Sequence, residues 1–145
     1  MSATLYNAAI LRLAASIPHH ERLADAQATS ERRSPICGSR VTVDVVLDAQ
    51  GRVERIGQLV RACALGQASA SLMGAHVIGR SEDELVAARD ALAAFLAGER
   101  DDPGDWPGLD IFAPARPHSA RHASIRLAFE AVTEAVAQAR RAEAA

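Results

Sequence analysis

The sequence predicts an α+β domain: one short helix, a small antiparallel sheet, then three helices. Three observations carry that reading. Residues 40–48 alternate side chains in the manner of a strand and end at a turn. Residues 81–96 open with a helix-capping sequence and repeat apolar residues at helical spacing. Residues 122–141 repeat them again, from Ile125 to Ala139. A chain of 145 residues, 49% apolar and 23% charged, has length for a single domain over 1–145 and enough apolar content to bury a core.

The elements follow in order. Leu5, Ala9, Leu13 and Ile17 lie four apart, a stripe that predicts a short amphipathic helix stopped by Pro18. His19 to Ala28 is polar and reads as loop, and Thr29 to Arg33 as a short strand. From Arg40 to Asp48, Val41, Val43, Val45 and Leu47 share one face, while Thr42, Asp44 and Val46 take the other. Asp48-Ala49-Gln50-Gly51 supplies the turn, and Arg52 to Ala62 returns as a second strand in which Gly57 marks a bend or bulge. Gly66 to Ile78 reads as a helix with one face of small residues. Ser81-Glu82-Asp83-Glu84 is a capping box for the next helix, which Gly98 stops. Glu99 to Arg121, with its acids, four prolines and the single tryptophan, is a surface excursion pinned by Trp106, Leu109, Ile111 and Phe112. The last helix runs from about His122 to Arg141.

Composition removes several functions. A net charge of −2 and 3% aromatic residues leave no basic, stacking surface for nucleic acid. All sixteen basic residues are arginine, so neither a Schiff-base lysine nor a phosphate-loop lysine is present. No apolar run approaches the ~20 residues of a membrane span. Ser2 to Ile17 has Arg12 in its middle and no basic leader, which points to the cytoplasm and to reduced or metal-bound thiols. The Arg32-Arg33 and Arg140-Arg141 pairs read as solvated faces.

The chemistry lies with the two cysteines. Cys37 precedes the hairpin, and Cys63 closes it and opens a helix, where unpaired N–H groups and the helix dipole favour thiolate over thiol. Spacing alone leaves three readings open: two thiols converging on one metal, a disulfide, or two small hydrophobes in the packing.

The order of motifs narrows this. Leu5-Tyr6-Asn7, Ser34-Pro35-Ile36-Cys37-Gly38 and the run from Cys63 to Met73, with its Ala-Ser-Ala-Ser, resemble the NifU/IscU/SufU-type iron–sulfur cluster scaffold proteins. Ile78-Gly79-Arg80-Ser81 and the segment from Arg121 to Val132 fit the same pattern, and the long stretch between Cys63 and that segment is most similar to the SufU type. The resemblance implies a three-stranded antiparallel sheet packed against helices and no enzymatic turnover. It also implies binding of iron or zinc, a transient iron–sulfur cluster, a cysteine desulfurase as sulfur source and apo iron–sulfur proteins as recipients. Nucleic acid and membrane are not among the expected partners.

Carried over by residue, Cys37 and Cys63 match the first and second cysteine ligands. Ser39 stands where the family has an aspartate, and Ser124 where it has a third cysteine. An alcohol is a poor donor at neutral pH, so this puts a complete ligand set in doubt. His122 is the expected substitute, with His118 behind it. His122 lies two residues before Ser124, about 200° around a helix, and so replaces the missing ligand only where the backbone there is not helical. The expected function is therefore cluster assembly or carriage on Cys37 and Cys63. The alternative is a diverged relative that binds zinc or relays persulfide sulfur without building a cluster.

Overall fold

The computed structural model describes residues 5–36 and 38–144. The elements are α1 (Ala8–Ala14), β1 (Ala28–Arg33), β2 (Arg40–Leu47), β3 (Val53–Arg61), α2 (Ala64–His76), α3 (Glu82–Leu96) and α4 (His122–Ala144). The sheet is antiparallel throughout, in the order β1-β2-β3. Helix α4 lies across β1 and β2 and also packs on α2 and α3, while α1 packs on α2. The expected α+β architecture, with a three-stranded sheet against helices, is what the chain adopts.

Local chemistry sets the element ends. The predicted first helix is shorter than its stripe, because the Asn7 side chain caps it by accepting from the Ile10 N–H at 3.0 Å. The hairpin turns at Asp48–Gly51, where Gly51 takes φ +79° and the Asp48 carboxylate accepts from the N–H groups of Gln50 and Arg52. Helix α3 carries the full capping box: Ser81 accepts from the Glu84 N–H, and Glu84 accepts from the Ser81 N–H. Glu99 to Arg121 is an excursion with more order than its composition suggests, since 3-10 turns run over Leu109–Ala115 and Ser119–Arg121. Trp106 anchors it, buried against Phe129 with its indole N–H donating to the Leu72 carbonyl at 2.9 Å.

One expectation about the sheet is corrected. The ladder irregularity falls between Val46 and Leu47, not at Gly57. Gly57 is there because the chain at Glu21 and Leu23 crosses directly over it and leaves no room for a Cβ. On the outer face of β2, Asp44 is fully buried beneath this crossing segment. It accepts from Arg22 Nε at 2.7 Å and Nη2 at 3.1 Å, from the Leu23 N–H at 3.0 Å and from Thr29 Oγ1. Burial pushes its carboxyl pKa up, but the hydrogen bonds from Arg22, Thr29 and Leu23 outweigh that and hold it below the usual carboxylate value.

The same crossing segment closes the β3 edge. The Gln58 N–H donates to the His19 carbonyl and the Val60 N–H to His20 Nε2, so the outer edge of β3 is not left open. On the inner side the Gln58 amide donates to the Pro18 and Ala70 carbonyls, tying β3 to α2.

Candidate metal centre

Three parts of the chain meet at the end of the sheet. The Ser34–Ser39 turn joins β1 to β2, closed by the Ser34 N–H to the Ser39 carbonyl at 2.8 Å. Cys63 is the N-cap of α2, and Ser124 lies in the first turn of α4. Ser124 Oγ is 3.3 Å from Cys63 Sγ and 3.2 Å from Ser39 Oγ. Ser39 and Ser124 are buried, whereas Cys63 is half-buried. Residues 39, 63 and 124, remote in sequence, thus present their side chains at one point.

The packing around this point is tight. Gly66, in the first turn of α2, faces Ser124: a Cβ there would stand 2.5 Å from Ser124 Oγ and 2.7 Å from the Ala62 Cβ. Ser69 Oγ donates to the Ile125 carbonyl, which fixes α2 against the start of α4. The small residues after Cys63 are therefore what lets two helix starts approach closely. Ser69 and Ser71 spend their hydroxyls on backbone carbonyls, as close packing requires.

Cys63 caps α2 only by position. Its sulfur makes no capping bond and is directed to Ser124 instead. Cys37, the other expected thiol ligand, lies outside the described residues.

His122 sits at the start of α4. The backbone is helical from His122 onward, so the condition for it to replace Ser124 is not met. Its Nε2 lies 2.9 Å from the Ala115 carbonyl and 3.1 Å from that of Arg116. Carbonyls only accept, so Nε2 carries the hydrogen, which leaves the ring's lone pair on Nδ1. His118 is exposed. Among the described residues no three His, Cys, Asp or Glu side chains form a metal-binding group. What the described part of the site offers is the half-buried Cys63 beside two buried alcohols. Thiolates suit iron, zinc and iron–sulfur clusters; the two hydroxyls are neutral and bind such ions weakly.

Solved structures share this architecture. A nitrogen-fixing NifU-like protein (N-terminal) from Brucella abortus superposes with a TM-score of 0.88 at 39% identity, covering 94% of this chain and 95% of that one. A Fervidobacterium islandicum protein assigned to the SUF iron–sulfur assembly system superposes at 0.83 with 19% identity, over 91% and 96% of the two chains, and supports the fold alone. Among characterised sequences, the iron–sulfur cluster assembly scaffold protein IscU of Thermotoga maritima is 29% identical over 138 residues, 91% of this chain and 92% of the relative. That of Streptococcus pyogenes serotype M1 is 26% identical over 127 residues, 87% and 79%. The NifU-like N-terminal domain model matches residues 5–144, and the chain belongs to this family of non-catalytic iron–sulfur cluster assembly scaffolds.

Proposed function

We propose that this chain assembles or carries an iron–sulfur cluster, as cargo and not as a resident group, on the thiolates of Cys37 and Cys63. A cysteine desulfurase supplies the sulfur and apo iron–sulfur proteins receive the product. The observation that supports this reading is the juxtaposition of the half-buried Cys63 with Ser124 and Ser39 at the end of the sheet. Two thiolates leave part of a cluster's coordination to groups outside the chain. A weakly held cargo suits transfer better than storage.

The test is anaerobic incubation with ferrous iron, sulfide and reductant. Visible charge-transfer absorption is expected in the wild type and its loss in Cys63→Ser. A colourless wild type contradicts the proposal.

A second reading has its own observation: the two positions that depart from the family are buried alcohols joined to each other by a hydrogen bond, rather than open ligand positions. On that reading the chain binds zinc or accepts persulfide sulfur on Cys63 and builds no cluster. Stoichiometric zinc in the purified chain would separate the first form. A persulfide mass shift on Cys63 after mixing with a cysteine desulfurase and cysteine would separate the second.

A further inference from the structure

The strand register sets three arginines in one row at the cysteine end of the sheet. Arg33 pairs with Arg40, and Arg40 with Arg61. Directly paired residues share a face, and with strands ~4.8 Å apart the row spans about 10 Å. Val41, Val43 and Val45 are buried on the opposite face, so the arginines point away from the helices. The next row inward is Glu31, Thr42 and Leu59, and the third is Thr29, Asp44 and Gly57. The segment at Glu21 to Leu23 covers the third row. The first two remain open: the Arg33 side chain is 66% exposed and Leu59 42%.

Like charges directly opposite one another in a sheet are destabilising. Here there are three, offset by one carboxylate: Glu31 lies 2.9 Å from Arg33 Nε and 3.8 Å from Arg40 Nε. Among the described residues Arg61 has no carboxylate partner. The chain as a whole is acidic, so this row is a local reversal of sign, suited to orient an acidic partner on approach. A second copy of the chain is a poor occupant, since across a two-fold axis the row would face itself. Nucleic acid is disfavoured by the scarcity of aromatics and by the apolar Leu59 beside the charges.

We propose that Arg33, Arg40, Arg61 and Leu59 form a docking surface for an acidic segment of a partner protein, with carboxylates on the arginines and an apolar side chain on Leu59. The turn to Ser39 and the strand leading to Cys63 leave the sheet at this end, so a partner held here is brought to the cysteine end of the molecule. Binding of this kind does not require Cys37 and Cys63 to hold a cluster, so the docking surface and the cargo function fail separately.

The experiment is fluorescence anisotropy of the full chain with a fluorescein-labelled, glutamate-rich peptide carrying one leucine. Binding is expected, weakening with added salt. R33E/R61E should lower affinity at least about tenfold and the neutral R33Q/R61Q less, while R89E/R100E, which reverses two exposed arginines elsewhere, should change it less than about twofold. Circular dichroism confirms that each variant is folded, and the neutral pair tests the row if the charge-reversed pair does not fold. Absence of wild-type binding, or an equal loss in R89E/R100E, overturns the proposal. So does a single-stranded oligonucleotide of equal charge that binds more tightly than the peptide.

Discussion

Ser124 Oγ lies 3.3 Å from Cys63 Sγ, so a sulfur placed at residue 124 would stand beside an existing one. Ser124→Cys is therefore expected to strengthen retention of a reconstituted cluster, slowing its loss to a chelator at least about tenfold, because an alcohol is exchanged for a thiolate. The measurement is the decay of visible absorption after chelator addition, under reductant; an unchanged decay would show that residue 124 does not face the cargo. Gly66→Ala should destabilise the fold by about 1–3 kcal/mol in chemical denaturation, since the added methyl meets Ser124 and Ala62 in a packed interior. At this scale the sequence was partly legible. The pairing of residue 124 with the cysteines came from resemblance and not from any local pattern. The role of His122 depended on helical phase, and once α4 begins at that residue its ring turns to the Ala115 and Arg116 carbonyls.

Among the elements, α3 was the most legible because its signals are local. Its capping box operates as read, and hydrogen bonding holds Glu84 down to about 2, chiefly from the Ser81 N–H against an opposing effect of burial, with help from Arg80, Arg52 and the Ser81 hydroxyl. A carboxyl whose folded pKa is lowered contributes stability above its ordinary value of 4.5, and that contribution is lost as pH falls toward 2. Glu84→Gln should therefore flatten the pH dependence of stability in that window, measured by denaturant midpoints across it; an unchanged slope would contradict the box. Ser81→Ala is expected to cost about 1 kcal/mol near neutral pH. Strand β2 was legible on its inner face only. Asp44 reads as an outward polar residue because its partners Arg22 and Leu23 belong to a polar segment that no short-range pattern ties to the sheet. Asp44→Asn is expected to cost about 1–3 kcal/mol, since one buried carboxylate oxygen becomes an NH2 group that faces the donors of Arg22, Leu23 and Thr29. Its acid-side contribution has the same sign as that of Glu84: present above the ordinary carboxylate pKa and lost as pH falls through the lowered one.

Over the whole molecule, one architecture serves a single place. The sheet delivers the Ser34–Ser39 turn and Cys63 to the same end, and α4, laid across β1 and β2, brings Ser124 to meet them. The close approach of α2 and α4 that this needs is supplied by glycine and serine, which explains why a stretch with few large side chains lies at this end. Fold class, element order and family could be read from alternation, caps and motif order, because each is local or repeated along the chain. The crossing segment over Gly57 and Asp44, and the arginine row, could not, because they exist only once register is fixed. The claim on which the functional reading rests is that the chain's own thiolates hold iron. It is tested most directly by X-ray absorption at the iron edge on protein loaded with ferrous iron alone, without sulfide. The account predicts sulfur neighbours around iron that disappear in the Cys37→Ser/Cys63→Ser double variant. A shell of oxygen and nitrogen only, or a sulfur shell that survives the double substitution, would contradict it.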